Sequence, residues 1–311
     1  IESKDYYVLP IEKEQIIRCS LKGRYKKDFQ LKKDKLFHTD IATVGDEVLF
    51  DLNRDGTGII HTIKPRKNYL SRKAPRIRGA SYRGERLEQI VASNIDNFFV
   101  ITSVAEPPFN NKVVDRFIVA GESSNLNVVI IFNKIDLDEN DSIKDWVKLY
   151  EEIGHEVVAT SAMTGEGLAK LKKICHDKKS IFWGQSGVGK STLLNKMFPQ
   201  LNLEIGPVSQ STDKGIHTTV TSILLKVEKN TYVIDTPGIR EIDPFGIKKE
   251  DLWHYFIEFG KFASNCKFNT CTHHHEPGCK VIQAVGNNQI SSERYGSYLR
   301  ILETIEEDIF F

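Results

Sequence analysis

The sequence predicts a multidomain α/β chain in three parts: an N-terminal β-barrel of the OB type, a doubly wound α/β domain, and a C-terminal helical module held by a metal ion. Three observations predict it. Short runs of β-branched and aromatic residues, without a long helical pattern, fill about the first 75 of 311 residues. From about residue 90, apolar runs alternate with helical patterns, as parallel strands joined by helices require. Three of the five cysteines, with three consecutive histidines, fall between Cys266 and Cys279. The barrel is placed at 1–75, a basic linker at 76–90, the α/β domain at 91–245 and the metal module at 246–311.

The barrel strands are expected at Tyr6–Leu9, Gln15–Cys19, Glu47–Leu52 and Gly58–Ile63, with a turn at Asn53-Arg54-Asp55-Gly56. Such a barrel serves RNA binding or a structural or protein-binding role equally well. Two basic stretches tilt the reading towards RNA. One runs from Lys22 through Lys35; the other takes in Lys64, Arg66, Lys67, Arg72, Lys73, Arg76, Arg78, Arg83 and Arg86, with Tyr69 and Tyr82 interleaved for base stacking. The polar, glycine-bearing segment from Pro75 to Glu85 reads as a linker or mobile loop.

In the α/β domain, Asn97–Thr102, Asn127–Phe132 and Glu156–Thr160 read as buried strands. Helices are expected over Val113–Ala120 and Ser142–Ile153. A further strand, Ser180–Trp183, runs into Gly184-Gln185-Ser186-Gly187-Val188-Gly189-Lys190-Ser191 and then a helix from Thr192. That spacing is the phosphate-binding loop. Its glycines let successive backbone N–H groups turn towards phosphate oxygens, Lys190 reaches the β- and γ-phosphates, Ser191 sits on Mg²⁺, and Gln185 and Ser186 shape the loop.

Asn133-Lys134-Ile135-Asp136 follows a buried strand and matches the guanine-reading motif. Asp136 accepts from guanine N1–H and the exocyclic amine, a pair of donors adenine lacks, so adenine would leave a carboxylate unpaired. The Lys134 stem lies along the base, Asn133 ties this turn to the phosphate loop, and the backbone at Ser161-Ala162 reads guanine O6. Asp235, in Asp235-Thr236-Pro237-Gly238, holds Mg²⁺ through water, and the Gly238 N–H meets the γ-phosphate. Of Thr218 and Thr219, Thr219 is favoured to close on Mg²⁺. These segments form the two switches. The order is rearranged: the guanine-reading turns precede the phosphate loop, so the domain reads as a circularly permuted P-loop GTPase domain. Ile239 stands where many such enzymes carry a water-orienting Gln. His217, or a group supplied by a partner, is the candidate to take that role.

Cys266, Cys271 and Cys279, with one of His273, His274 and His275, satisfy tetrahedral Zn²⁺ in a closed structural site. Helices are expected around it over Lys249–Ser264 and Ser291–Asp308. Cys19 and Cys175 read as ordinary buried thiols. The formal net charge is +1, so any nucleic-acid surface must be local. No apolar run approaches the length of a membrane span, no secretory signal is recognisable at the first residues, and the cysteine usage fits a reducing cytoplasm. Nothing demands more than a monomer.

The permuted order, the phosphate loop, His217-Thr218-Thr219, Asp235 through Glu241, and Cys266…Cys271-Thr272-His273-His274-His275-Glu276-Pro277-Gly278-Cys279 together resemble the RsgA/YjeQ ribosome-associated GTPases over nearly the whole chain. The resemblance implies zinc on Cys266, Cys271, His273 and Cys279, a catalytic role for His217, and rRNA-facing barrel and zinc modules. It implies a cytoplasmic enzyme that binds GTP and GDP, acts in late assembly of the small (30S) ribosomal subunit, and is stimulated by that subunit. The long charged segment Lys22–Asp40 and the basic Arg76–Arg86 insert depart from the family pattern. The alternative is a GTP-dependent RNA-binding switch with incidental hydrolysis; a GTPase serving a protein or membrane partner ranks third.

Overall fold

A computed structural model describes residues 5–11, 15–23, 41–73, 88–203, 222–236, 242 and 244–305. In the barrel segment, β1 (Tyr6–Val8), β2 (Ile17–Leu21), β3 (Val48–Leu52) and β4 (Gly58–Ile63) form a sheet in the order β1-β2-β4-β3. The β2–β4 pair is parallel and the others antiparallel. Period-2 alternation puts Cys19, Leu21 and Ile60 in a small core with Ile17, Val48 and Phe50 packed on it. Gly58 is required there, because a Cβ would lie 2.5 Å from the Cys19 sulfur.

Two strands escaped the sequence reading. β5 (Tyr69–Lys73) and β6 (Glu88–Ser93) pair antiparallel. The expected linker at 76–90 therefore ends inside a strand, since Glu88–Ile90 belong to β6; 74–87 lie outside the described residues. Polar and basic residues in β5 hid its pattern. These residues and their neighbours in the same basic stretch have partners of their own. Arg66 makes two hydrogen bonds to Asp46, at 2.7 and 2.8 Å, and the Ser93 hydroxyl donates to the same carboxylate at 2.6 Å. Lys64 pairs with Glu47 at 3.4 Å, Arg72 bonds the Gln89 amide oxygen, and Lys73 is buried. Arg66, Arg72 and Lys73 thus lie half-buried or buried within the barrel and hairpin, whereas Lys64 and Lys67 are exposed.

The α/β domain has a six-stranded sheet of β7 (Asn97–Ser103), β8 (Asn127–Asn133), β9 (Glu156–Ala159), β10 (Lys179–Gly184), β11 (Ile223–Glu228) and β12 (Thr231–Asp235). The order is β11-β12-β10-β7-β8-β9, parallel except for β11. Its helices are α1 (Asn111–Ser123), α2 (Lys144–Glu152), α3 (Leu168–Cys175) and α4 (Lys190–Met197). Adjacent strand residues face opposite layers. Phe98, Val100, Ile130 and Trp183 pack with α1 and α2, whereas Phe99, Ile101, Ile131 and Phe182 pack with α3 and α4. Both faces are covered, which is why the strands read as unbroken apolar runs. The barrel is fastened at the amino ends of these strands: Asn68 bonds both backbone groups of Ile95 at 2.8 Å, Asn94 donates to the Gly45 carbonyl at 3.0 Å, and Lys179 pairs with Glu47 at 3.6 Å.

In the C-terminal module the helix expected over Lys249–Ser264 is instead two 3₁₀ segments, Lys249–Tyr255 and Ile257–Phe259, followed by a single turn, α5 (Gly260–Ala263). The break falls at Phe256, whose non-helical backbone accompanies packing of its ring against Phe259 and Tyr298. Aromatic packing outweighs helix propensity here. The helices α6 (Lys280–Gly286) and α7 (Ser292–Thr304) complete the module; α7 ends four residues before the expected Asp308, which lies outside the described residues.

This module is locked to the α/β domain by a buried charge cluster. Arg294 on α7 is 1% exposed. It donates to Asp115 on α1 at 2.6 Å and to both carboxylate oxygens of Glu258 at 2.8 and 3.1 Å. The Tyr150 hydroxyl on α2 donates to the same Asp115 oxygen at 2.8 Å. Burial opposes the charge on Arg294, but Asp115 and Glu258 outweigh it and raise its pKa further above the ordinary arginine value. The guanidinium also stacks over the Phe256 ring, 4.6 Å from its centre. Removing one partner strands a buried charge. Asp115→Ala is expected to lower unfolding free energy by about 3–5 kcal/mol, and Arg294→Met alone by a similar amount. Asp115→Ala combined with Arg294→Met should recover part of the loss, read by denaturant titration of the three variants.

Candidate nucleotide site and metal centre

The phosphate loop leaves β10 at Gly184 and enters α4 at Lys190, at the carboxyl end of the sheet. Three contacts fix its path. Gly184 has no space for a side chain, since a Cβ would meet the Ile101 carbonyl oxygen at 2.3 Å. The Val188 side chain is buried in the core between the sheet and α4. Gly189, at φ +92°, passes so close to Asn133 that a Cβ would sit 2.5 Å from its amide nitrogen. Gln185, Ser186 and Gly187 form the open crest. Lys190 folds back over the loop and donates to the carbonyls of Gly184 at 2.6 Å and Gln185 at 2.8 Å. Ser191 and Thr192 are half-buried in the first turn of α4.

Burial pushes the Lys190 ammonium down to about 8, against the pull of Asp235. Burial likewise raises the Asp235 carboxyl, opposed by the Thr236 backbone hydrogen bond and by Lys190.

The turn at Asn133–Asp136 lies beside this loop. Asn133 is buried; its amide donates to the Val188 carbonyl at 2.9 Å and its oxygen accepts from the Thr160 hydroxyl at 3.2 Å. The Ile135 N–H donates to the Thr160 carbonyl at 3.2 Å, joining the turn to the one after β9. Asp136 is exposed, at the start of a short 3₁₀ turn. Ser161 and Ala162 are buried, and the Ser161 hydroxyl caps its own turn by accepting from the N–H groups of Met163 at 3.2 Å and Thr164 at 3.0 Å. Gly167, at φ +73°, lets that turn close on the Ala159 carbonyl.

The structure thus brings together Asn133, Lys134, Asp136, Ser161, Ala162, the phosphate loop and Asp235. His217, Thr219 and Gly238 lie outside the described residues. Thr160 and the turn after β7, Val104–Pro108, were missed by sequence reading. The Lys134 amine donates to the Glu106 carbonyl, and Gly187 faces Pro107, 3.4 Å from where its Cβ would be. The only signal for this turn was a Pro-Pro pair just beyond the carboxyl end of an apolar strand.

In the C-terminal module, the donor atoms of Cys266, Cys271, His273 and Cys279 lie within 4.8 Å of one another. His273 Nδ1 is 3.3 Å from the Cys279 sulfur and 3.6 Å from that of Cys266. Of the three histidines, His273 alone is fully buried and joins the cluster; His274 and His275 are exposed. The donor set of three thiols and one imidazole fits a metal ion. The loop is held by Glu276, whose carboxylate accepts from the Thr272 N–H and hydroxyl, both at 2.6 Å, and from the N–H groups of His274 and His275. Burial alone would raise this carboxyl, but the hydrogen bonds outweigh it and hold it at about 2. Tyr295 and Tyr298 on α7 donate to the carbonyls of His273 and Thr272 at 2.8 and 2.7 Å, so the metal loop and the helix bearing Arg294 form one unit.

Comparison with known proteins gives one family model over residues 63–245, that of the RsgA GTPase. The chain is 40% identical to the small ribosomal subunit biogenesis GTPase RsgA of Chlorobaculum parvum over 86% of this chain and 87% of that one. It is 37% identical to the small ribosomal subunit biogenesis GTPase RsgA 2 of Bacteroides thetaiotaomicron over 97% and 94%. Among solved structures it resembles YjeQ from Thermotoga maritima, with a TM-score of 0.75 and 31% identity over 97% of this chain and 94% of that one. It also resembles YloQ, a circularly permuted GTPase, with a TM-score of 0.70 and 27% identity over 97% and 91%.

Two outcomes follow from the site. Phosphates bound at this loop should raise the Lys190 pKa from its starting point of about 8, so a nucleotide-bound protein would hold more protons above pH 8. GDP binding at pH 8.5 should take up a proton fraction, seen as buffer-dependent heats in calorimetry, and affinity should fall as pH rises through 8. At the metal centre, Glu276→Gln should speed metal loss to a chelator, lowering metal affinity by roughly 10–100-fold, while Cys and His ligands remain in place.

Proposed function

The chain belongs to the RsgA GTPase family and hydrolyses GTP, and we propose that it does so on the small ribosomal subunit during that subunit's late assembly. The observation that carries this reading is the extent of the likeness: relatives named for small-subunit biogenesis match across 97% of the chain, covering barrel, GTPase domain and metal module together. The reading also places the protein in the cytoplasm as a monomer; among the described residues, no helix is long and apolar enough to cross a membrane.

In this reading Asp136 pairs with the guanine N1–H and amine, Lys134 lies along the base, and the Ala162 N–H meets O6. The backbone N–H groups from Gly184 to Thr192 surround the phosphates, with Gly238 at the γ-phosphate. Ser191, Thr219 and, through water, Asp235 would hold Mg²⁺, which when bound would supply positive charge against the β- and γ-phosphates. Lys190 exchanges its two backbone carbonyls for phosphate oxygens, regaining full charge as it does so. His217, as a neutral imidazole, accepts a hydrogen bond from the attacking water and aligns it with the γ-phosphorus. Cys266, Cys271, His273 and Cys279 would hold zinc in a structural role, since four protein donors would leave no open position for substrate.

GTP turnover measured with and without purified 30S subunits tests the assignment. Stimulation by 30S, at least about 100-fold weaker in His217→Ala while GDP affinity survives, is the expected result. No stimulation of the unaltered protein would remove the ribosomal assignment; stimulation persisting in the variant would remove only the role of His217.

A further inference from the structure

We propose that Ser103 is a positioning residue for the nucleotide, acting through the Val104–Pro108 turn and Lys134. The proposal rests on the reading above in which Lys134 lies along the guanine.

The turn forms a third wall of the site, beside the phosphate loop and the guanine-reading turn. Each of its ends is fixed. The Val104 N–H donates to the Asn133 carbonyl at 3.1 Å. At the other end the Phe109 ring packs on Phe132 and Trp146, with ring centres 5.2 and 5.0 Å away. Between them, the buried Ser103 hydroxyl donates to the Pro107 carbonyl at 2.7 Å and folds the turn back over its own strand. That fold aims the Glu106 carbonyl at the Lys134 amine, which donates to it. The Lys134 stem is left beside Gly189, with its Cε 3.9 Å from where a Cβ on that glycine would be.

Backbone conformation supplies an independent mark on the same pair. Among the described residues, all but two of the non-glycine residues with positive φ are Asn, Asp or His, whose side chains tolerate the left-handed region best. The two exceptions are Glu106, at φ +51°, and Lys134, at φ +63°, the two ends of this hydrogen bond. Long side chains held in an unfavourable backbone region, on two segments that meet only at the nucleotide site, mark a geometry maintained for that site. Asn133 sets where the guanine turn stands; the Ser103 turn sets where its lysine points. Without the hydroxyl, the Pro107 carbonyl loses its donor, the Glu106 carbonyl is free to turn away, and the Lys134 amine has no fixed anchor.

GDP affinity of the full chain, measured for the unaltered protein, Ser103→Ala, Lys134→Ala and the double variant, tests this, together with KM and kcat for GTP. Ser103→Ala should weaken GDP binding and raise KM by roughly fivefold to tenfold with kcat within about twofold. The double variant should bind no worse than Lys134→Ala alone, because the serine works through the lysine. Additive losses, or unchanged affinity in Ser103→Ala, would overturn the proposal. Unchanged affinity in Lys134→Ala would instead strike the reading of Lys134 along the base, and any loss in Ser103→Ala would then run by another route, overturning the proposal too. Ser103→Thr, which keeps the donor, should retain affinity; if Ser103→Ala does not fold, Ser103→Cys, of similar size but a much weaker donor, takes its place in the comparison with the same outcomes.

Discussion

The buried side-chain amide of Asn133 joins segments 55 residues apart, and the geometry of the nucleotide site follows from that one hydrogen bond to Val188. It is possible only because β8 and β10 flank β7 in one parallel sheet and end at the same edge. The amide has no freedom to choose another partner: Thr160 holds its oxygen, and Gly189 closes over its nitrogen with no room for a methyl group. Val188 is in turn anchored in the core by its side chain. The turn at Asn133–Asp136 and the loop at Gly184–Lys190 are therefore set relative to one another by buried groups, where a hydrogen bond left unmade costs most.

Most of this was legible in the sequence because it rests on short-range rules. A parallel strand covered on both faces must be apolar throughout, and Asn127–Asn133 and Asn97–Ser103 are nearly continuous apolar runs, which marks them as strands of such a sheet. The phosphate loop needs glycine where backbone meets backbone, and Gly184 and Gly189 show why. What was not legible depends on contacts between distant segments. Nothing local marks Ser103 as the donor that folds Val104–Pro108, or Arg66 as a residue enclosed by Asp46 rather than open to solvent. The C-terminal module misled in the opposite direction: Leu252, Phe256 and Phe259 have helical spacing, yet the chain breaks at Phe256 to serve rings on α7. Of three adjacent histidines, pattern alone could not choose; the loop held by Glu276 turns His273 inward.

The two flanking parts attach to the α/β domain away from the nucleotide. Asn68, Asn94 and Glu47 tie the barrel to the amino ends of the strands, opposite the phosphate loop. The metal module meets α1 and α2 on one face of the sheet, through Arg294, Asn111 and Arg116. None of these ties shares a side chain with the phosphate loop or the guanine turn. The core keeps the same division, since Ile242 packs with the sheet and Ile247 with the metal module, so the chain crosses from one core to the other between these two residues.

The Arg294 cluster carries a consequence for the order in which the protein is made. Asp115 emerges from synthesis long before the arginine that neutralises it, the two being separated by 179 positions. Until then α1 presents a carboxylate and the apolar Val119 on a face that in the finished protein is dry. The sheet, with its guanine turn and phosphate loop, can assemble first, but its flank stays wet and charged until α7 arrives. A chain cut short anywhere before residue 294 would keep that mismatched flank permanently, and so would be recognisable to the cell's proteases as unfinished even with every nucleotide-contacting segment in place.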